Sequence, residues 1–275
     1  MDDCLLSIIK EISCFSEITD GKTILEIQER IKIEKLSGLT NNNYLLTILN
    51  TPRQQFVLRV PRKSTNLYIN RNNESINNKI ASEIGITPKI LWKDSTGISL
   101  TYYLENTQHL THHNLKDPLI FNKVSTHLKS LQESKVSFKG ELSINKIKDY
   151  LKNYFDACSH TDQKHLIESY QEANNLLSDM NINQQLVPAH VDLASENILL
   201  QNKKIWFIDW EYSSMASPYW DIAMICNWGK LNTNEKELLL EKVFGDSKKK
   251  DLKELQKYQY IIDSISNCWI HAFSA

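Results

Sequence analysis

The chain has 275 residues, with 32 Lys and Arg against 33 Asp and Glu and a formal net charge of −1. The opposite charges are interspersed, which leaves no electrostatic footprint for a nucleic acid or an anionic membrane. Its five cysteines, Cys4, Cys14, Cys158, Cys226 and Cys268, are odd in number and form no C-x-x-C pair; this argues against a disulfide framework or zinc knuckle and predicts a reducing compartment.

The start Met1-Asp2-Asp3 is acidic, and the apolar stretch Leu5 to Ile9 is broken by Lys10 and Glu11. No apolar run approaches the roughly 20 residues of a membrane span. A soluble, cytoplasmic protein with no membrane partner is expected. From Ile31 to Tyr103 the pattern is strand-like: Ile31 to Leu36, Tyr44 to Leu49, Phe56 to Val60, Ile90 to Trp92 and Ile98 to Tyr102. Between the third and fourth runs, Ile69, Ile76, Ile80 and Ile84 recur at helical intervals until Gly85 and Pro88 stop the helix. The asparagines Asn41 to Asn43 suit a turn, and Asn72 and Asn73 suit a helix start.

After about Glu105 the period changes to 3.6. Ile120, Val124, Leu128 and Leu131 share one face; Ile144, Ile147, Leu151 and Tyr154 share another; Leu166, Tyr170, Ala173 and Leu177 share a third. His109, His112 and His113 have no cysteine or second histidine pair to complete a zinc site, so an exposed loop is expected there. Lys248 to Lys250 reads as a solvated charge run. One exception interrupts the helices: Ile198 to Leu200 and Ile205 to Ile208 flank the polar turn Gln201 to Lys204, a small hairpin.

That hairpin brings chemistry together. A turn centred between Asn202 and Lys203 puts Asn197 across from Ile208, beside Asp209. An amide oxygen next to a carboxylate is a hard donor pair that suits Mg²⁺ when phosphates and water complete its shell. Asp192 lies five residues before Asn197, in His190-Val-Asp-Leu-Ala-Ser-Glu-Asn197. A carboxylate there can accept the proton of an attacking hydroxyl, with the histidine packing the loop. With an ordinary pKa of ~3.9 it is a weak base, but a loose phosphoryl-transfer transition state asks for alignment more than for early proton removal. A lone His-x-Asp is ordinarily a solvated turn. Its coupling to Asn197, Asp209 and the hairpin gives it significance.

His190, Asp192 and Asn197, followed by Ile208-Asp-Trp-Glu-Tyr212 and Pro218-Tyr-Trp-Asp221-Ile-Ala, resemble the HxDLxxEN, IDWEY and PxWDLA motifs of bacterial choline kinases. That group is related to aminoglycoside phosphotransferases and to protein kinases. Leu36-Ser-Gly38-Leu39-Thr40-Asn41-Asn42-Asn-Tyr44 is similar to the family's phosphate-covering turn. The resemblance runs from about Ile31 to Trp228.

It implies an α/β (α+β), two-lobed protein-kinase-like fold. A small antiparallel-sheet lobe with one helix, residues 1–104, binds nucleotide, and a larger mainly helical lobe, residues 105–275, carries catalysis and the acceptor site, with ATP in the cleft. It implies that Leu39, Thr40, Asn41 and Asn42 cover the nucleotide phosphates and that Arg59 meets them with Glu74 as its partner. Tyr102, Tyr103 and Leu104 are expected to flank adenine, Asp192 to be the catalytic base, Asn197 and Asp209 to hold magnesium, and His190 and Asp221 to support the loop. Arg59 and Glu74 could also form only a structural ion pair.

For the acceptor, the aromatic stretch with Glu211, Tyr212, Tyr219, Trp220 and Trp228, and later Trp269, suits a quaternary ammonium, which is held by ring faces beside a carboxylate. Choline is the expected substrate, with Glu211, Tyr212, Trp228 and Trp269 in its pocket. Trp220 and Trp228 lie on an expected helix, where aromatic residues commonly fill a core, and Trp210 is expected beneath the metal loop. The alternatives are a kinase of ethanolamine, thiamine, an amino sugar or an antibiotic, or a degenerate kinase serving as a binding module. Asn227 stands where relatives tend to carry glutamate, Arg62 where many carry glycine, and Asn70 where aspartate is common.

Overall fold

The β-branched runs of the N-terminal part pair into one antiparallel sheet. In the computed structural model of the protein, residues 3–36, 41–49, 52–62, 69–158, 164–180, 185–245 and 252–273 are described. The chain divides into two compact units, Met1–Asn106 and Thr107–Ala275. In the first, β1 (Ile31–Leu36), β2 (Asn41–Ile48), β3 (Gln54–Pro61), β4 (Ile90–Lys93) and β5 (Ser99–Tyr102) run in the order β1-β2-β3-β5-β4. Alternation sorts the faces of β3: Phe56 and Leu58 are buried in the core, and Arg59 points the other way.

Asn41 to Asn43, expected in a turn, instead open β2 opposite Pro61, Val60 and Arg59. Pairing with β3 outweighs the low strand propensity of asparagine. Gly38, Leu39 and Thr40 lie outside the described residues, as do Lys248 to Lys250.

The sheet is covered by more than the one expected helix. α1 (Asp3–Glu11), α2 (Ser16–Thr19) and α3 (Ile24–Gln28) precede it, and Leu5, Leu6, Ile9, Ile12, Phe15 and Ile27 join Leu46, Phe56, Leu58 and Leu100 in one core. The Phe15 ring meets Phe56 edge-on at 5.2 Å. Leu5, Leu6 and Ile9 give α1 a helical period that the break at Lys10 and Glu11 obscured, whereas α2 and α3, of one turn each, owe their existence to such packing. The inserted helix, α4 (Arg71–Glu83), begins at Asn70, whose side chain accepts the Asn73 N–H; asparagine thus serves as the cap where relatives carry aspartate. It ends at Gly85, whose φ of 80° suits glycine.

The second unit is mainly helical. It opens with β6 (Thr107–His109), α5 (His112–Leu115), α6 (Pro118–Gln132), α7 (Ile144–Ala157) and α8 (Lys164–Asp179). The histidine cluster is therefore not one loop, because His109 ends a strand and Thr111 and Asn114 form a reciprocal cap that starts α5. Asp117 caps α6 with Pro118 in its first turn, and Ser143 caps α7.

Next come β7 (Val187–Ala189), β8 (Ile198–Gln201), β9 (Lys204–Phe207), β10 (Ser214–Ala216), α9 (Trp220–Trp228), α10 (Thr233–Phe244) and α11 (Leu252–Phe273). The long α11 packs against α7, α8 and α9. The apolar faces read from the 3.6 period are the buried ones, including Val124, Leu128 and Leu131 on α6 and Ile144, Ile147 and Leu151 on α7. Besides the hairpin, β6 adds a third strand beside β8, and β7 pairs with β10; β6, β7 and β10 have only three residues each and so offer little alternation to read. Among the described residues, no helix is long and apolar enough to cross a membrane.

Candidate active site

The loop after β7 is held by its own backbone. Asp221, on the first turn of α9, accepts the N–H of His190 at 2.7 Å and of Val191 at 2.9 Å. Val191 has φ 74°, a conformation that costs a β-branched residue about 1–3 kcal/mol. Two hydrogen bonds to an ionised carboxylate, each worth about 1.5–3 kcal/mol, offset that strain. The Trp220 indole N–H donates to Val191 O at 2.8 Å, and the Trp228 indole N–H donates to Leu193 O at 3.0 Å. Burial pushes the Asp221 carboxyl up to about 6, and the two N–H donors oppose it.

His190 is fully buried, with its ring 4.5 Å from Trp210. Because a carbonyl can only accept, Nε2 carries the proton and donates to Ile208 O at 2.9 Å. Burial pushes the imidazole down to about 4, so it is a neutral strut that ties the loop to the end of β9. Trp210, wholly buried, donates to Phe207 O at 3.1 Å.

The hairpin turns through Asn202 and Lys203, with φ 46° and 67°, and pairs Ile198 with Phe207 through Gln201 with Lys204. Continuing that register, the Ile208 N–H donates to Asn197 O at 2.9 Å, which sets Asn197 beside Asp209. The Asn197 amide nitrogen donates to Asp192 O at 2.8 Å and to Asp192 Oδ2 at 3.0 Å. Both acceptors are oxygens, so the amide oxygen is turned away from them. Asp209 has φ 65°, so the chain bends sharply as it leaves the hairpin.

Burial, then the charges of Asp209 and Glu211, push the Asp192 carboxyl up to about 7. Asp209, Glu211 and, more weakly, Glu196 thus oppose a further negative charge on Asp192, and the site favours positive charge. Asn197 and Asp209 supply hard oxygen donors, as Mg²⁺ prefers, and too few of them to fill its shell without phosphate and water.

Beyond Glu211, burial pushes the Tyr212 hydroxyl up, and Tyr154, Glu211, Asp192 and Tyr150 add to it. Tyr150 and Tyr154 sit one turn apart on α7, with ring centroids 6.3 Å apart, and Phe273 of α11 meets Tyr154 at 6.0 Å. Trp269 extends this group, 6.0 Å from Phe273. Tyr154 is buried, as the helical period predicts, while sequence reasoning missed Tyr150; the available signal was two tyrosines four residues apart on one helix face. Trp220 is buried with its N–H used by the loop, and Trp228 is half-buried with its N–H likewise used.

In the N-terminal unit, Arg59 of β3 lies 2.8 Å from Glu74 Oε1. Two further cations share that carboxylate, Arg71 at 2.9 Å on Oε2 and Lys93 at 3.3 Å on Oε1. Burial pushes Glu74 up, but Arg59, Lys93 and Arg71 together outweigh it and hold the carboxyl below its ordinary range. Asn41 is buried, and the Asn42 side-chain oxygen accepts from Arg62 Nε at 3.4 Å. Tyr102 is exposed and stacks on Phe56 at 5.5 Å, and the Tyr103 N–H donates to Gln55 O at 3.0 Å, with half-buried Leu104 following.

The chain is similar to known proteins along most of its length. Protein LicA of Haemophilus influenzae (strain KW20 / Rd) is 31% identical over 223 residues, which is 79% of this chain and 81% of that protein. The crystal structure of choline kinase LicA from Streptococcus pneumoniae matches 98% of this chain and 91% of its own, with a TM-score of 0.76 and 23% identity. A structure of LicA in complex with AMP matches 97% of this chain and 89% of its own, with a TM-score of 0.75 and 24% identity. Both share the protein-kinase-like fold, with its antiparallel-sheet lobe and helical lobe. The choline/ethanolamine kinase family model spans residues 33–258. With its motifs, fold and relatives in agreement, the chain belongs to the choline/ethanolamine kinase family and is a small-molecule kinase.

Proposed function

We propose that the protein transfers the γ-phosphoryl group of ATP to the hydroxyl of choline, with Mg²⁺ as the metal. The observation that carries this reading is the geometry at the end of the hairpin, where the Ile208 N–H on Asn197 O sets Asn197 beside Asp209 while Asn197 Nδ2 holds Asp192. Asn197 Oδ1 and Asp209 would hold the magnesium ion, which would supply charge neutralisation to the phosphate oxygens. Asp192 orients the acceptor hydroxyl and takes its proton, while Asn197 Nδ2 holds the Asp192 carboxylate in place. The place of Asp192 beside the metal donors matters more than its basicity, because a loose transition state asks for alignment.

In this reading the N-terminal lobe expected from the sequence, residues 1–104, binds the nucleotide, and residues 105–275 carry catalysis and the acceptor site. Arg59, oriented by Glu74, meets the phosphates, Leu39 to Asn42 cover them, and Tyr102, Tyr103 and Leu104 flank adenine. The AMP bound in the LicA structure supports nucleotide use. His190 and Asp221 hold the loop. Tyr212, Tyr150 and Tyr154 with Glu211 form the electron-rich surface that a quaternary ammonium favours, with Trp228 and Trp269 alongside; a cation-π contact contributes about 0.5–2 kcal/mol.

The test is acceptor-stimulated ADP release with choline, ethanolamine, thiamine and an aminoglycoside in parallel. Choline is expected to give the highest kcat/KM. Preference for another alcohol would overturn the acceptor assignment, and an absence of stimulation by any of them would overturn catalysis in favour of a binding module.

A further inference from the structure

The cluster around Glu74 holds more cations than an ion pair requires. Glu74, with a side chain 1% exposed, receives Arg59 at 2.8 Å and Lys93 at 3.3 Å on the same oxygen, Oε1, while Arg71 lies 2.9 Å from Oε2. One carboxylate can neutralise one of these three charges. Lys93 comes from the last residue of β4, and its side chain is only 8% exposed. An ammonium buried beside two guanidinium groups is costly, since Glu74 favours its charge while burial, Arg59 and Arg71 all oppose it. A methionine or leucine in that place would avoid the cost, so the ammonium calls for a reason beyond packing.

We propose that Lys93 is a positioning residue for the nucleotide phosphates: by sharing Glu74 Oε1 with Arg59, it leaves part of the Arg59 charge available to an anionic oxygen. The inference rests on the assignment of Arg59 to the nucleotide phosphates. Without Lys93, Glu74 Oε1 belongs to Arg59 alone, the cluster loses one of its three positive charges, and the field at the guanidinium falls. The groups that face Lys93 are Glu74 and Arg71 from α4 and Arg59 from β3. An incoming polyphosphate favours the charged ammonium, so affinity is highest while Lys93 keeps its proton. It declines as pH rises through a value below the ordinary lysine 10.5.

The experiment measures KM for ATP and kcat against pH in wild-type, Lys93→Met, Lys93→Arg and Arg59→Ala proteins, with circular dichroism as the check on folding. Lys93→Met is expected to raise the ATP KM about tenfold, leave kcat within about twofold and lose the wild-type climb of KM at alkaline pH. Lys93→Arg, charged at every pH used, should keep a low KM and also lose the climb. A folded Lys93→Met protein with wild-type KM and pH profile, beside an Arg59→Ala protein with a raised KM, overturns the proposal and leaves the nucleotide assignment standing. An Arg59→Ala protein with unchanged ATP KM overturns that assignment itself. Should Lys93→Met not fold, Lys93→Arg decides alone, because a KM that still climbs with pH in that variant refutes the role of Lys93.

Discussion

The carboxylate of Asp221 holds Val191 in a left-handed conformation, accepting its N–H at 2.9 Å while Val191 keeps φ 74°. With the His190 N–H at 2.7 Å on the other oxygen, one buried side chain sets the path of the loop that carries Asp192. In Asp221→Asn, the amide has one oxygen for two donors and turns its NH₂ toward an N–H. The variant is expected to lose about 2–4 kcal/mol of stability and at least about a hundredfold in kcat. Urea unfolding and steady-state kinetics measure the two losses; an equally stable variant would remove Asp221 from this role.

Asp192 and Asp209 should separate by what each loses. In Asp209→Ala the hard carboxylate of the donor pair is gone, and Mg-ATP turnover should fall below detection. In Asp192→Asn nucleotide binding should persist, because the metal donors and Arg59 remain, while kcat falls by about 10²–10⁴. Calorimetric titration of nucleotide, alongside turnover, tells the two apart. Normal turnover in Asp209→Ala would refute the metal assignment.

The raised carboxyl of Asp192 also predicts a pH dependence in metal-free protein. Its folded value is about 7 against an ordinary 3.8. Below the ordinary value both states hold the proton and nothing is lost; as pH climbs through the folded value, the native state must carry the buried charge and stability drops. Asp221 works in the same direction, up to about 6, and His190 in the opposite one, since its imidazole, pushed down to about 4, must take up a proton to unfold below its ordinary 6.5. The Asp192→Asn variant cancels only the first contribution. Its stability relative to wild type should therefore improve between about pH 4 and pH 7, by on the order of 1–3 kcal/mol, because Asp192 is partly exposed and the effect is screened. Urea titrations in chelator at several pH values give the difference, and a flat difference would contradict the raised carboxyl.

Tyr154 offers a test of the acceptor surface away from the phosphates. Tyr154→Leu keeps an apolar side chain on α7 but removes the ring that meets Phe273 and the hydroxyl that acts on Tyr212. The choline KM should rise about 3–30-fold, as expected for loss of one cation-π contact, with the ATP KM unchanged. Equal rises in both would point to a general disturbance of α7.

Gly97, in the turn between β4 and β5, has φ 93°, and an added Cβ would lie 2.7 Å from Arg71 Cδ and 2.8 Å from Nε. Arg71 cannot move away without giving up Glu74, 2.9 Å from its guanidinium. Gly97→Ala should cost about 1–3 kcal/mol and raise the ATP KM along with it. Thermal unfolding checks the first effect and steady-state kinetics the second.

Residues close in the chain made the hairpin legible in advance: a two-residue turn and period-2 alternation over eight positions are enough to set Asn197 against Ile208 and next to Asp209. The helix faces of α6 and α7 were legible for the same reason, since 3.6-residue periodicity is written within one segment. The one-turn α2 and α3 carried no such signal, and the strand pairing of Asn41 to Asn43 ran against their local preference.

What the sequence by itself determined is thus what neighbours along the chain can decide: strand alternation, helix phase, the register of one turn and the motif that marks the kinase family. The tertiary structure alone decided which residues meet across long stretches of chain: Tyr150 and Tyr154 with Tyr212, Asp221 with Val191, and Lys93 with Glu74 beside Arg59. A local pattern is set by backbone geometry within a few residues. A distant meeting depends on how whole elements pack, and no short stretch of sequence contains that information.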